Sequence, residues 1–156
     1  MARRLSVMSA VLILIAGYVH LCLYRRGYRF IPKIGISFLL QAVSSVALAA
    51  ALLVRRGRVH VGGHSVSLGQ LARFGAIGLS VGTLAALGIA HTPGGLFQFH
   101  EMGLQPAPQT LIAIVTEALA ALLLSVAMLE SHLAARQPIP LPEMSRPRRP
   151  AARDAA

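Results

Sequence analysis

Residues 34–54 read IGISFLLQAVSSVALAAALLV, twenty-one consecutive residues without an Asp, Glu, Lys or Arg. At a rise of about 1.5 Å per residue, a helix of this length spans about 30 Å, which is the thickness of the hydrocarbon core of a bilayer. The core of a soluble domain does not need so long an uninterrupted apolar block. The stretch therefore predicts a transmembrane helix.

Three further apolar blocks of similar length occupy residues 5–24, 71–90 and 108–129. Only 13% of the residues are charged, whereas a soluble domain carries about 25%. We therefore predict an all-α integral membrane protein, a bundle of four transmembrane helices (spans 1 to 4) over residues 1–136. Residues 137–156 are rich in Pro and Arg without periodicity, which predicts a disordered cytoplasmic tail.

The positive charges are distributed unequally between the two sides of such a bundle. Loops 1, 2 and 3 connect spans 1 to 4 in chain order. The net charge is +10, and eleven of the fifteen Lys and Arg fall in the N-terminus, in or beside loop 2, and in the tail. The other four lie in loop 1, on the opposite side, and loop 3 has none. This bias favours cytoplasmic N- and C-termini, with loops 1 and 3 outside. The Arg-rich composition with much Ala, Gly and Pro is typical of bacteria, so we expect the cytoplasmic (inner) membrane.

Several functional classes find no support in the sequence. The basic residues cluster at the ends of apolar blocks and have no interleaved aromatics, so nucleic-acid binding is not expected. Cys22 is the single cysteine, which excludes an intramolecular disulfide and gives no metal-binding spacing. No Gly-rich phosphate loop, nucleophile elbow, CxxC or HExxH motif is present. We accordingly expect a non-enzymatic protein without a cofactor.

An internal repeat relates the two halves of the chain. Gly27 precedes Gln41, in span 2, by the same number of residues as Gly103 precedes Glu117, in span 4, and a proline follows each glycine five residues later. A duplication would give two tandem helix hairpins of the same orientation, related by an axis along the membrane normal. The alternative is chance similarity between apolar segments.

Small residues recur at helical spacing, and in lipid such faces let helix backbones approach closely. Gln41 and Glu117 each belong to such a stripe, so we expect both to face protein. The glycines of span 3 form a GxxxG pattern, which we interpret as a packing surface. The three stripes are Ser37, Gln41, Ser45 and Ala49; Ala113, Glu117, Ala121 and Ser125; and Gly78, Gly82 and Ala86.

Polar residues from all four spans fall at comparable depth near the outer side. Gln41, Glu117 and Thr83 each lie seven residues inside a helix end, which is about 10 Å. An ionisable residue at this depth is costly and suggests function. The candidate ligand or proton site is His20, Gln41, Thr83, Glu117 and His91, with an outer rim of Arg25, Arg26, Arg29, His100 and Glu101.

Two interpretations of this polar layer stay open. One is a structural network in which Glu117 bonds to His20, Gln41 or Thr83 and locks the bundle. The other is a pocket for a small ligand, a proton or a metal. Haem would require two facing histidines, for which His20 and His91 are the candidates. In the rim, a loop 1 arginine is expected to meet lipid phosphate or Glu101. In loop 2, His60 and His64 flank two glycines and indicate a turn rather than a metal site.

The expected function is that of an accessory or binding protein that uses the polar layer in the outer leaflet. Its expected partners are the lipid bilayer and either a second copy of the chain or another membrane protein. The alternative is a small solute or proton transporter or a channel component, which would be oligomeric because four helices make a thin wall for a pore. A haem or metal redox protein is a third hypothesis.

The stretch from Gly27 to Gly35, GYRFIPKIG, preceded by His20, resembles a motif of small four-span membrane proteins of actinobacteria. The later stretch 103–109, GLQPAPQ, resembles the same group, and the likeness covers most of residues 15–125. The resemblance implies a membrane location and a four-helix fold. It implies no activity and no site residues.

The charge bias makes the orientation testable. A periplasmic reporter such as alkaline phosphatase should be inactive when fused after Ala135 and active when fused within loop 3, because the side richer in Arg is retained in the cytoplasm. A reporter active only in the cytoplasm should show the reverse pattern at the same two positions. Alkaline phosphatase activity from the C-terminal fusion would contradict the predicted orientation.

Overall fold

A computed structural model describes residues 1–54, 57–61 and 64–136. It contains four long helices: α1 (Ala2–Arg25), α2 (Ile34–Leu53), α3 (Leu68–Ala90) and α4 (Gln109–Ala135). All four are long and apolar enough to cross a membrane. The predicted four-helix membrane bundle is thus confirmed. The tail predicted over 137–156 lies outside the described residues.

Three of the four described helices, α1, α3 and α4, extend beyond the apolar blocks that predicted them. α1 begins three residues before residue 5, and α4 continues six residues past 129. α3 begins at Leu68, because the Ser67 hydroxyl caps the helix by accepting a hydrogen bond from the Gln70 amide. Hydropathy marks only the part of a helix that lies in hydrocarbon, whereas capping and backbone hydrogen bonding set its ends.

Loop 2 contains an antiparallel β-hairpin that we did not predict. Strand β1 (Arg58–Val61) pairs with β2 (His64–Ser67), and Arg58 lies opposite Ser67. The turn predicted at Gly62–Gly63 lies outside the described residues. Two short alternating runs on either side of a Gly-Gly pair are a hairpin signal, which our reading of the loop as a simple turn overlooked.

Helix α1 is the central element of the bundle. It packs along its length against α2 and α4 and barely touches α3, which lies across α2 and α4 on the far side. The side chains buried on α1 recur every three to four residues from Ser6 to Leu23. The core nearest loop 2 consists of Ile13, Ala76, Ala120 and Leu124.

The stripe predicted on α4 is only partly correct. Ala113 and Glu117 are buried, but Ala121 is half-buried and Ser125 is exposed. The buried face of α4 continues instead through Ala120, Leu124 and Ala127. A strict four-residue step advances about 40° per repeat around a helix of 3.6 residues per turn, so a stripe of that period leaves the interface after two repeats.

Helices α1 and α2 approach each other closely at Gly17. A Cβ atom at this position would lie 2.5 Å from Cβ of Ser45, and Ser45 itself is fully buried. The Ser45 hydroxyl donates to the carbonyl of Gln41, so its polarity is satisfied within α2. The small residues therefore let the backbones of α1 and α2 approach closely at this interface, as the stripe on α2 predicted.

Replacing Gly17 with Ala should destabilise the bundle. The added methyl group has no room beside Ser45, and overpacking of this kind costs about 1–3 kcal/mol. Gly88→Ala is the matched control, because a Cβ there meets nothing within 4 Å and both variants gain the same helix propensity. Reversible unfolding in mixed micelles measures the difference, and equal stability of the two variants would refute the close packing.

Candidate functional site

A cavity of about 320 Å³ lies in the half of the bundle nearest loops 1 and 3. It exists because α3 diverges from the bundle: Ala72, Ala76 and Ser80 are buried, but no later residue of α3 is buried until Ala90. The lining is mostly apolar. Its polar members are His20, Tyr28, Ser37, Gln41, Thr83, Glu101, Thr110 and Glu117.

Glu117 is the most deeply buried polar group in this cavity wall, with 1% of its surface exposed. The Gln41 amide donates a hydrogen bond to its Oε1 at 2.5 Å, which joins α2 to α4. The predicted contact of Glu117 with Gln41 inside the bundle is thereby confirmed. That this polar layer binds something stays a prediction.

The second oxygen of the same carboxyl is unpaired. Among the described residues, Oε2 of Glu117 and Oγ of Ser80 are the buried side-chain atoms without a hydrogen-bond partner. The Ser80 hydroxyl lies beside the Glu117 carboxyl, so the two unpaired atoms neighbour each other, and Ser80 itself does not line the cavity. A buried polar atom without a partner costs about 1–3 kcal/mol. The cavity wall therefore holds an unsatisfied hydrogen-bonding group.

His20 offers a second hydrogen-bonding atom to the cavity. Its Nδ1 lies 2.8 Å from the carbonyl of Ala16, and because a carbonyl only accepts, Nδ1 carries the hydrogen. In the neutral ring, Nε2 is then an acceptor. The ring packs edge-on against Phe38, with centroids 5.2 Å apart. This packing and the bond to Ala16 fix its orientation.

Thr83 and His91 differ from the other members of the predicted layer. Thr83 lines the cavity, but its hydroxyl donates to the Leu79 carbonyl of its own helix. His91 is exposed and does not line the cavity: its two ring nitrogens each lie 2.8 Å from a carbonyl, one of Leu87 and one of Gly103. His91 thus attaches loop 3 to the end of α3, and the structure does not bring it into the layer.

These positions weaken the haem hypothesis. Both nitrogens of His91 are engaged by carbonyl oxygens, so neither is free to ligate iron opposite His20. Over the described residues, no group of three or more His, Cys, Asp and Glu side chains is arranged to hold a metal ion.

Parts of loops 1 and 3 cover the cavity at the end nearest these loops, and we call this cover the roof. It consists of the 3-10 helix Tyr28–Phe30 in loop 1 and the part of loop 3 from Leu96 to Pro106. Tyr28 stacks on Phe38 with centroids 4.9 Å apart, and its hydroxyl donates to Glu101 at 3.3 Å. The Glu101 amide in turn donates to the Ala90 carbonyl. The half-buried hydrogen bond from Tyr28 to Glu101 therefore joins the two loops.

The expected contact of a loop 1 arginine with Glu101 is not among the hydrogen bonds of the described residues, and contact with lipid phosphate stays a prediction. Glu101 bonds to Tyr28 in place of a loop 1 arginine. Arg29 lies 4.7 Å from the ring centroid of Phe30. Arg26 donates to the side-chain oxygen of Gln109 at 2.6 Å when that amide is oriented to satisfy its neighbours. His100 contacts the Pro93 carbonyl within loop 3. Tyr28 therefore occupies the position beside Glu101 where charge pairing predicted an arginine.

Burial and hydrogen bonding shift the pKa values of Tyr28, Glu101 and His91 at this end of the bundle. Burial raises the pKa of Tyr28 to about 12, and the neighbouring Glu101 adds to this shift. Burial also raises the pKa of Glu101, against the opposing hydrogen bond of Tyr28 and the charge of His91. The two carbonyl acceptors, of Leu87 and then of Gly103, raise the pKa of His91.

The glycines of α3 do not pack as the GxxxG pattern predicted. Gly78 and Gly82 are exposed and line the cavity, and a Cβ atom at either position would meet nothing within 4 Å. The expectation that they form a packing surface is wrong within this chain, because no neighbouring helix comes within reach of either glycine. They leave open space instead.

The comparisons with known proteins give no assignment. No family model, no curated protein and no solved structure matches the chain.

Sequence reasoning missed Ser80 and the role of Tyr28. Ser80 was visible as the end of the buried series Ala72, Ala76 and Ser80, which we passed over in favour of the glycines. Tyr28 carries no comparable signal, since its contact with Glu101 joins two loops 73 residues apart.

The attachment of loop 3 to the end of α3 should be more stable at low pH. A histidine with a raised pKa contributes stability that is complete below its unfolded value of about 6.5 and is lost as pH rises through the folded value. The raised pKa of Glu101 acts in the same direction, since the folded state favours the protonated carboxyl. Hydrogen-exchange protection of the Glu101 amide, corrected for intrinsic exchange, should thus fall as the pH rises above the unfolded histidine value of about 6.5.

His91→Gln should remove most of this pH dependence. His100→Gln is the matched control and should retain it, because His100 contacts loop 3 only. Protection that is constant with pH in the unmodified protein would contradict the role assigned to His91.

Proposed function

We propose that this protein is a membrane-embedded binding protein whose cavity takes one small, mostly apolar ligand with a hydrogen-bonding group. The observation that carries the proposal is the unpaired Oε2 of Glu117 in the wall of a 320 Å³ cavity. Ligand pockets are typically of about 300–1,000 Å³, apolar, with a few well-placed polar groups. The cavity fits the lower end of that range.

The polar groups favour a hydroxyl on the ligand. Gln41 occupies Oε1 of Glu117, so Oε2 is left to accept when ionised or to donate when protonated. Nε2 of His20 accepts. When the carboxyl is protonated, a ligand hydroxyl can accept from Oε2 and donate to Nε2 of His20, which satisfies both atoms. When the carboxyl is ionised, the hydroxyl donates its single hydrogen to Oε2.

The arrangement favours binding over catalysis. The hydroxyls of Thr83 and Thr110 both donate to backbone carbonyls, so neither is activated by a neighbouring base. The polar atoms of the cavity wall are thus suited to orienting a bound group.

We propose the cytoplasmic membrane and cytoplasmic termini, on the charge bias of the loops. In that orientation the cavity lies in the outer leaflet, and loops 1 and 3 face outward. The proposed role is that of an accessory or carrier protein presenting its ligand from that leaflet.

A second candidate is a proton- or solute-transporting subunit. The observation that favours it is the ionisable Glu117 buried among transmembrane helices. Glu117→Gln distinguishes the two functions. The amide retains a hydrogen-bonding group for ligand binding, but it cannot carry a proton.

The test uses two probes of nearly equal shape, 1-naphthol and 1-methylnaphthalene, with the protein in lipid nanodiscs. Binding is measured against empty nanodiscs to remove partitioning into lipid. The unmodified protein should bind 1-naphthol about tenfold more tightly, a difference of about 1.4 kcal/mol. Only the naphthol hydroxyl can satisfy Glu117 and His20.

Glu117→Leu should abolish the preference for 1-naphthol. Glu130→Leu, the same substitution on the same helix outside the cavity lining, is the control and should retain it. No saturable binding of either probe, or equal binding of both, would overturn the proposed function.

A further inference from the structure

The wall of the cavity is interrupted between α2 and α3. A Cβ at Gly75 would lie 2.9 Å from Cδ2 of Leu48, so this face of α3 meets α2 closely near loop 2. Gly78 and Gly82 continue the same face, since all three glycines lie within about 60° around the helix. At these two positions nothing lies within 4 Å of a Cβ. We call this opening the lateral gap, bounded by Ser37, Gln41, Gly78 and Gly82.

The lateral gap lies at the level of the polar site. Helices α2 and α3 run in opposite directions, so seven residues from the Leu48–Gly75 contact bring Gln41 level with Gly82. Gly82 is eight residues from the end of α3, about 12 Å inside, and Gly78 is about 18 Å inside. The gap thus faces acyl chains and lies beside the Gln41–Glu117 hydrogen bond.

The end of the cavity nearest water is better covered. Leu96, Phe99 and Pro106 of loop 3 line that end, and the hydrogen bond from Tyr28 to Glu101 holds the two loops together. His91 attaches loop 3 to α3 through two carbonyls. Loop residues therefore lie between water and the cavity, whereas the α3 residues that bound the lateral gap are two glycines without side chains.

The depth of the gap restricts the chemistry of the ligand. A charged head group brought through the acyl region at this level costs several kcal/mol or more. A cavity of 320 Å³ also lacks room for the two tails and head group of a phospholipid. A neutral molecule with one hydrogen-bonding group and one chain meets both restrictions.

We propose that the ligand is a neutral single-chain membrane alcohol that enters from the lipid through the lateral gap. Its hydroxyl bonds to Glu117, and its chain leaves between α2 and α3 at Gly78 and Gly82. This inference rests on the proposed binding function and specifies the class of ligand and its route.

A transmembrane helix is the competing occupant, since an exposed pair of glycines four residues apart also suits helix association. A helix is too wide to enter the cavity, however, and would leave Oε2 of Glu117 unpaired. The alcohol satisfies that atom and fills the space beside it. We therefore favour the alcohol and make helix association an outcome of the test.

The experiment uses hexadecanol with a photoreactive diazirine midway along its chain, dissolved in nanodiscs that hold the full chain. After illumination, the labelled residues are mapped by mass spectrometry. Label should appear on the α2 and α3 residues beside the gap, such as Phe38 of α2 and Leu79 and Thr83 of α3. Excess unlabelled hexadecanol should compete, and excess hexadecane should not.

Gly82→Phe should reduce this labelling about tenfold, a change of about 1.4 kcal/mol in binding. Gly88→Phe is the matched control and should leave it unchanged. Both positions are exposed and open on the same helix, but Gly88 does not line the cavity. Equal labelling of the two variants would refute entry through the gap.

Two further outcomes would overturn the proposal. Label confined to Leu96, Phe99 and Pro106 would indicate entry from water through the roof. A dimer seen by native mass spectrometry that Gly82→Phe dissociates, without competition by hexadecanol, would assign the gap to a second copy. Binding of 1-naphthol by the unmodified protein keeps the general binding function in either case, and its absence would reject that function instead.

Discussion

A carboxyl group buried among transmembrane helices must find hydrogen-bond partners inside the protein, because hydrocarbon offers none. Glu117 finds one in Gln41, which joins α4 to α2 across the bundle. The partner satisfies one oxygen and leaves the other without one. The proposed binding role rests on this difference between the two oxygens, since a fully satisfied pair would only join the two helices.

The cavity itself follows from how the helices share contacts. Gly17 lets α2 approach α1 until no methyl group fits beside Ser45, and α4 packs along another face of α1. Helix α3 is then left to pack across α2 and α4. It does so closely near loop 2, where Ala76 and Ser80 are buried, and diverges above them. The space beneath the diverging half is the cavity.

The glycines of α3 show how one sequence pattern serves two physical ends. Small residues permit close approach, as Gly17 does, but they also leave room where a neighbour is absent. Gly78 and Gly82 belong to the second case. The partner of Glu101 likewise depends on the tertiary structure. Glu101 bonds to a tyrosine of loop 1, although loop 1 carries four positive charges.

The sequence by itself determined the four spans and the burial of Gln41 and Glu117. Hydrophobic length and helical periodicity are local properties, and the cost of exposing polar groups to lipid leaves few alternatives. It did not determine the ends of the helices, the hairpin in loop 2 or the position of His91. Only the tertiary structure decided which oxygen of Glu117 is satisfied, where α3 leaves the bundle and which glycines face open space. Those outcomes depend on the relative placement of helices far apart in the chain, which periodicity along one helix does not encode.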